Sequence, residues 1–139
     1  MARRYVVDFG RMLIGWIELE LEASAGTVID VLGYEGEQNG LPQMTEKMNN
    51  TLRYTCREGH QIFTSSQRRG FRYLLIQVHG ASSSLKIHGV TGKLSTYPGA
   101  PRGSFRSSDA RLNQIYDLSA YTVRLCSEDT FTEIGRAHV

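Results

Sequence analysis

Glu18, Glu20 and Glu22 are the first residues of this 139-residue chain whose type and spacing suit acid–base chemistry. Side chains two apart on a strand share a face and lie ~7 Å from each other. That falls within the ~6.5–9.5 Å between the carboxyl groups of an inverting glycosidase. A regular acidic row on a wet strand face is also what solvation selects, and the row is assigned to solvation. A second acidic group sits in Cys126-Ser127-Glu128-Asp129-Thr130-Phe131-Thr132-Glu133, just past a run of helical spacing. Loops after helices commonly hold catalytic groups, and residue chemistry alone does not separate this one from an exposed acidic helix end. Arg68, Arg69 and Arg72 form the densest basic cluster and suit a sugar acid or phosphate. A loop rim and a salt-bridged strand is the account preferred for them. Trp16, Tyr5, Phe71 and Tyr73 could build a sugar-stacking platform, although aromatics on alternating strands more often fill a core. His79 and His88 flank a turn and could approach across a hairpin. Two imidazoles with no carboxylate or thiol beside them make a poor zinc set, so no metal site is assigned. Cys56 and Cys126, 70 residues apart, fit no zinc or redox motif and are read as free thiols.

The elements that must carry these residues are mostly strands. Residues 17–23 alternate strictly, with Ile17, Leu19, Leu21 and Ala23 on one face and the glutamates on the other. Ser24-Ala25-Gly26 is a short turn before a β-branched run, 27–32, so the pair is expected to form an antiparallel hairpin. Gly33 opens a long loop, 34–50, marked by Gly36, Gly40, Pro42 and many polar residues. Short strands follow at 52–56 and 60–64, with Glu58-Gly59 as a turn. Residues 71–78 carry large apolar groups on both faces, which places that strand centrally in a sheet. Gly80 to Ser84 turns the chain into a further strand at 85–90. Tyr97 to Gly103, with two prolines and two glycines, punctuates the chain. Ser107-Ser108-Asp109 then offers N-caps to a helix whose stripe is Leu112, Ile115, Tyr116, Leu118, Tyr121, Thr122 and Leu125. One such helix after a β domain either packs on the sheet or begins a helical domain.

Composition bounds the function classes. A 40% hydrophobic and 22% charged chain is ordinary globular material, long enough to bury about two thirds of its unfolded surface. Sixteen basic against fourteen acidic residues leave +2, which gives no pull toward nucleic acid or an anionic membrane. No run reaches the ~20 apolar residues of a membrane span. Asp8 and Arg11 interrupt what a signal peptide would need, so localisation, cytoplasmic or exported, stays open.

The opening RYVVDFGRMLIGWIELELEASAGTVIDV resembles the β-sandwich that precedes the catalytic domain of bacterial α-L-rhamnosidases. GFRYL, GSFRSSDARLNQIYDLSAYT and EDTFTE follow in the family's order, so the resemblance covers about residues 4–133. Asp8-Phe9-Gly10 with Gly15, and EDTFT, are its more specific parts. The resemblance implies an antiparallel β-sandwich (1–98), a linker (99–107) and the first helix of an α/α toroid (108–133). It implies a parent glycoside hydrolase that cleaves terminal α-L-rhamnosyl bonds with inversion, acting on rhamnosides or rhamnose-containing polysaccharides without a cofactor. The missing catalytic domain would be the sandwich's intramolecular partner.

In that family a carboxylate after the helix is followed by Cys-Pro and then by the glutamate that acts as acid. Glu133 matches the first carboxylate, and Asp129 and Glu128 are further pocket candidates. After Glu133 the chain departs from the pattern, so neither the general acid nor the downstream base is present. The codons ATC GGA AGA GCA CAC GTC would encode the final Ile134-Gly135-Arg136-Ala137-His138-Val139, and that string resembles a sequencing-library adapter, so 134–139 is read as its scar. The chain alone is expected to be inactive. Two rival readings are a free-standing carbohydrate-binding sandwich using Trp16 or the 34–50 loop, and an interaction domain whose helix stripe the sheet covers entirely.

Overall fold

The computed structural model describes residues 3–43, 49–79, 85–99 and 102–128. Eight strands and one helix run through them: β1 (Arg3–Ala23), β2 (Val28–Tyr34), β3 (Gly36–Gln38), β4 (Leu41–Gln43), β5 (Thr51–Thr55), β6 (Gly59–Thr64), β7 (Arg69–His79), β8 (Lys86–Leu94) and α1 (Ala110–Leu125). The chain divides into two compact units, Met1–Leu94 and Ser95–Val139.

The first unit is a sandwich of antiparallel layers joined through β1. The strand order is β5-β2-β7-β1-β6, and β8 pairs the other edge of β1. Twenty-one extended residues would reach ~70 Å, too long for one layer of a domain this size, so β1 must change layers. Its first part pairs β7, and its last part lies between β6 and β8. The Asp8-Phe9-Gly10 and Gly15 positions mark where this happens. Register against β7 shifts between Asp8 and Leu13. There the Asp8 carboxylate accepts the Gly10 N–H at 2.7 Å, with Gly10 at φ +77°. At Gly15 the strand faces Arg69 of β7 on one edge and Leu94 of β8 on the other. A Cβ at Gly15 would stand 1.8 Å from the Lys93 carbonyl oxygen, so only glycine fits.

The strict alternation of 17–23 holds: Ile17, Leu19, Leu21 and Ala23 are buried, and they share one core with Ile29, Val31, Phe71, Leu74 and Ile76. β7 lies centrally between β2 and β1, as its two apolar faces require.

The β1–β2 hairpin expected from the Ser24-Ala25-Gly26 turn is not formed. β2 pairs β5 and β7 instead, and β1 is not its neighbour. The turn carries the chain between layers, so Leu19 and Leu21 meet Ile29 and Val31 through the core rather than side by side in one sheet. The expected 34–50 loop also differs. Tyr34 closes β2, and β3 and β4 form a small hairpin around Asn39-Gly40, both at positive φ. That is the two-residue turn Asn-Gly favours, because both central positions need φ > 0. Residues 44–48, the 80–84 turn, and residues 100–101 of the punctuating stretch lie outside the described residues.

In the second unit, α1 starts at Asp109, whose carboxylate accepts the Arg111 N–H at 2.8 Å. Ser107 and Asn113 exchange two hydrogen bonds ahead of the first turn. The Cys126 N–H closes the helix on Thr122 O, with Arg124 in the last turn, where positive charge suits the helix dipole. Leu125 is buried, while Leu112, Ile115 and Leu118 are exposed.

Candidate functional site

Each glutamate of the acidic row has a partner on a flanking strand. Glu18 pairs the Lys93 ammonium and accepts the Thr64 hydroxyl at 2.9 Å. These two contacts hold its carboxyl below the usual range. Glu20 lies 3.0 Å from His60 Nε2, and Glu22 lies 3.3 Å from Lys86 Nζ and 3.8 Å from His88 Nε2. The row is thus solvated and cross-paired, in line with its assignment away from acid–base work.

The histidine pair expected across a hairpin is not assembled, because β7 and β8 are not neighbours and β8 adds to β1. His79 instead meets Asp30 at 2.8 Å, while the His88 ring lies 5.6 Å from that of His60. No group of three or more His, Cys, Asp or Glu side chains suited to a metal forms among the described residues. Cys56 is buried and Cys126 half-buried; both are free thiols, and burial pushes the Cys56 thiol up.

Three of the four aromatics of the expected platform separate. Phe71 is fully buried in the core, edge-on to Phe9. Tyr73 stacks on Tyr34 at 5.1 Å, and Trp16 stands exposed on the outward row of β1 with the glutamates. The basic cluster divides as well. Arg72 grips Asp8 through two bonds of 2.9 and 3.0 Å, holding that carboxyl below its usual range. Arg69 is buried, and its acceptors among the described residues are neutral: Gln67 Oε1 at 3.2 Å, Asn49 O at 3.4 Å and Asn50 Oδ1 at 3.5 Å. Burial lowers its basicity.

Beyond the helix, Glu128 accepts the Ser95 hydroxyl at 3.2 Å, and the Tyr97 N–H donates to Ser127 O at 2.7 Å. Asp129, Glu133 and the 134–139 segment lie outside the described residues.

One polar group went unremarked in the sequence because its members are scattered over four strands. The Asp30 carboxylate accepts Arg53 Nε at 2.6 Å and Nη2 at 2.8 Å, with His79 Nε2 at 2.8 Å. Gln77 touches His79 at 3.2 Å and accepts Arg4 Nε at 2.9 Å. The Arg53 guanidinium, aided by His79, draws Asp30 down to about 2. Asp30 also lines a hollow of about 470 Å³ with Leu32, Thr51, Arg53, Leu75 and Gln77. The polar residue at every second position of β5, and the lone Asp30 within apolar β2, were the available signal, but they do not tell which strands are neighbours.

A family profile described as the bacterial alpha-L-rhamnosidase concanavalin-like domain matches residues 1–94, two thirds of the chain. The chain belongs to this family. Its sandwich is therefore a rhamnosidase concanavalin-like domain, and the resemblance seen in the sequence stands. A GH78-family rhamnosidase of Bacillus sp. GL1 is 47% identical, with a TM-score of 0.91, over 96% of this chain and 14% of that one. An alpha-L-rhamnosidase of Formosa agariphila is 25% identical over 136 residues, 86% of this chain and 13% of the relative. A rhamnosidase from Klebsiella oxytoca, solved with rhamnose bound, shares the fold at 18% identity, with a TM-score of 0.74 over 93% of this chain and 28% of its own. The chain thus spans about one seventh of the first two relatives.

Proposed function

We propose that this chain is a segment of an inverting α-L-rhamnosidase, made of its concanavalin-like sandwich and the first helix of its α/α toroid, and that the segment does not hydrolyse rhamnosides alone. The observation that carries the reading is the 47% identity and TM-score of 0.91, held over 96% of the chain, to a rhamnosidase of which it spans 14%. The match runs past the sandwich and takes in the helix. The exposed Leu112, Ile115 and Leu118 support it too, since an apolar helix stripe is what a neighbouring toroid helix would cover.

Inversion needs one carboxylic acid to protonate the leaving oxygen and one carboxylate to activate water, ~6.5–9.5 Å apart. Glu133 is the carboxylate of this chain that comes nearest to the family's acid in sequence, with Asp129 and Glu128 leading toward the same pocket. The acid and base themselves come from later in the parent enzyme. The sandwich supports the toroid, which is its partner, and the substrates are rhamnosides or rhamnose-containing polysaccharides.

Sequencing the source DNA past codon 132, then expressing the extended protein beside the 139-residue chain, tests this. The extended protein should release p-nitrophenol from p-nitrophenyl α-L-rhamnopyranoside, with a β-configured first product, and the short chain should release none. Hydrolysis by the short chain, or an extended frame with no activity on rhamnosides, would overturn the proposal.

A further inference from the structure

The two outward faces of the sandwich are unlike. Over β6, β1 and β8 the glutamate row meets Lys93, His60 and Lys86, a face built for water. Over β2, β7 and β1 one level across the strands is apolar, with Leu32 beside Leu75 and Leu75 beside Val6, and it ends on Thr51 of β5. The adjacent level is polar, with Arg53 beside Asp30, Gln77 and Arg4 in succession. The hollow described above spans both levels.

We propose that this hollow is a carbohydrate site for a 6-deoxyhexose, whose methyl group rests on Leu32 and Leu75 and whose vicinal hydroxyls bond the Asp30–Arg53 pair. The choice of sugar rests on the rhamnosidase reading; the site itself rests on the geometry. Arg53 uses Nε and Nη2 on Asp30, so Nη1 keeps both of its N–H donors. Asp30 Oδ1, bonded once, keeps acceptor capacity beside them. A donor and an acceptor side by side are what a vicinal diol pairs with. The carboxylate remains ionised at any ordinary pH. The Arg53–Asp30–His79–Gln77–Arg4 chain crosses four strands, so these groups are held in place before a ligand arrives, which lowers the ordering cost of binding.

The size of the hollow favours a small molecule over a protein. It falls within the ~300–1,000 Å³ of small-molecule sites, whereas a stable protein interface needs ~800 Å² on each side. The apolar bank selects the deoxy sugar. A hydroxyl on C6 would be set against Leu32 and Leu75, away from partners, at a cost in desolvation.

Two-dimensional ¹H–¹⁵N spectra of the 139-residue chain, titrated with L-rhamnose and separately with L-mannose, test the site. L-Mannose is L-rhamnose with a hydroxyl on C6. L-Rhamnose should give saturable shifts at Asp30, Leu32, Arg53 and Leu75. L-Mannose should bind roughly tenfold more weakly, short of the ~100-fold an enclosed apolar pocket reaches against an added hydroxyl. Arg53→Gln should abolish saturation with the spectrum otherwise unchanged, since Arg53 is largely exposed. Leu75→Ser should erase the preference between the two sugars.

No saturable shift into the high-millimolar range, shifts centred on Trp16, or equal response to both sugars would overturn the site. Its failure is separable from failure of the rhamnosidase reading. An extended protein that hydrolyses rhamnosides, in a chain whose hollow binds neither sugar, removes the site alone. Binding in the hollow with no hydrolysis by the extended protein removes the enzyme reading and leaves the site.

Discussion

In the sandwich the large apolar side chains of β1, β2 and β7 (Ile17, Leu19, Leu21, Ile29, Phe71 and Leu74) are at most 1% exposed, whereas in α1 Leu112, Ile115, Leu118 and Val123 are 47–67% exposed. The difference follows from how each element meets its neighbours. A strand with period-two alternation presents one complete apolar face, and two layers joined by β1 close those faces on each other. The helix presents a stripe, and a stripe is closed only by other helices or a sheet laid along it. The sandwich therefore has its core within this chain, while the helix leaves most of its large apolar side chains exposed.

The largest effect that would test this contrast is loss of core volume. Phe71→Ala should destabilise the chain by ~3–5 kcal/mol in urea denaturation, while Leu118→Ala should change it by no more than ~0.5 kcal/mol. Equal effects would erase the distinction between the two regions. Gly15→Ala should cost about 3 kcal/mol, the upper end for forcing extra volume into a packed site, because its Cβ would displace the Lys93 carbonyl and part β1 from β8. Hydrogen exchange should then speed along both strands and leave α1 unchanged.

Asp109→Ala should cost about 1 kcal/mol of helix stability by freeing the Arg111 N–H. It should be visible as reduced helical circular dichroism, with the sandwich spectrum unaltered.

The smallest effect concerns pH. Asp30 sits near 2 in the folded chain against an ordinary 3.8. Its folded value is the lower one, so its stabilisation is present above pH ~4 and declines as pH falls from about 4 toward 2. With Arg53 largely exposed, solvent screening limits the effect to ~1 kcal/mol or less, and Asp30→Asn should remove that part of the acid limb.

The strands of the core were legible in the sequence because burial on one face writes itself as alternation: residues 17–23 and the doubly apolar 71–78 behave as read. The helix was legible as well: Asp109 is one of the three caps that Ser107-Ser108-Asp109 offered, and the stripe's last residue, Leu125, is the last of α1. The 36–43 hairpin was missed although Asn39-Gly40 announces it, because the surrounding glycines and Pro42 read as an unbroken loop. The β1–β2 hairpin was misread because a short turn is equally compatible with pairing in one sheet and with crossing to the other layer. The candidate sugar hollow was not legible at all: Arg4, Asp30, Arg53, Gln77 and His79 come from four strands that the chain order does not place side by side.

The sequence by itself determined which residues face inward, where the helix begins and which family the chain resembles, since these depend on local periodicity, capping chemistry and short motifs. The tertiary structure alone decided who neighbours whom. Pairing β7 with both β2 and β1 brings Asp30, Gln77 and Arg4 into one row. The shift of register after Asp8 and the close approach at Gly15 are what let one strand serve two layers. Strand adjacency is set by long-range burial and hydrogen bonding between segments far apart in the chain, and no short window of sequence contains those partners.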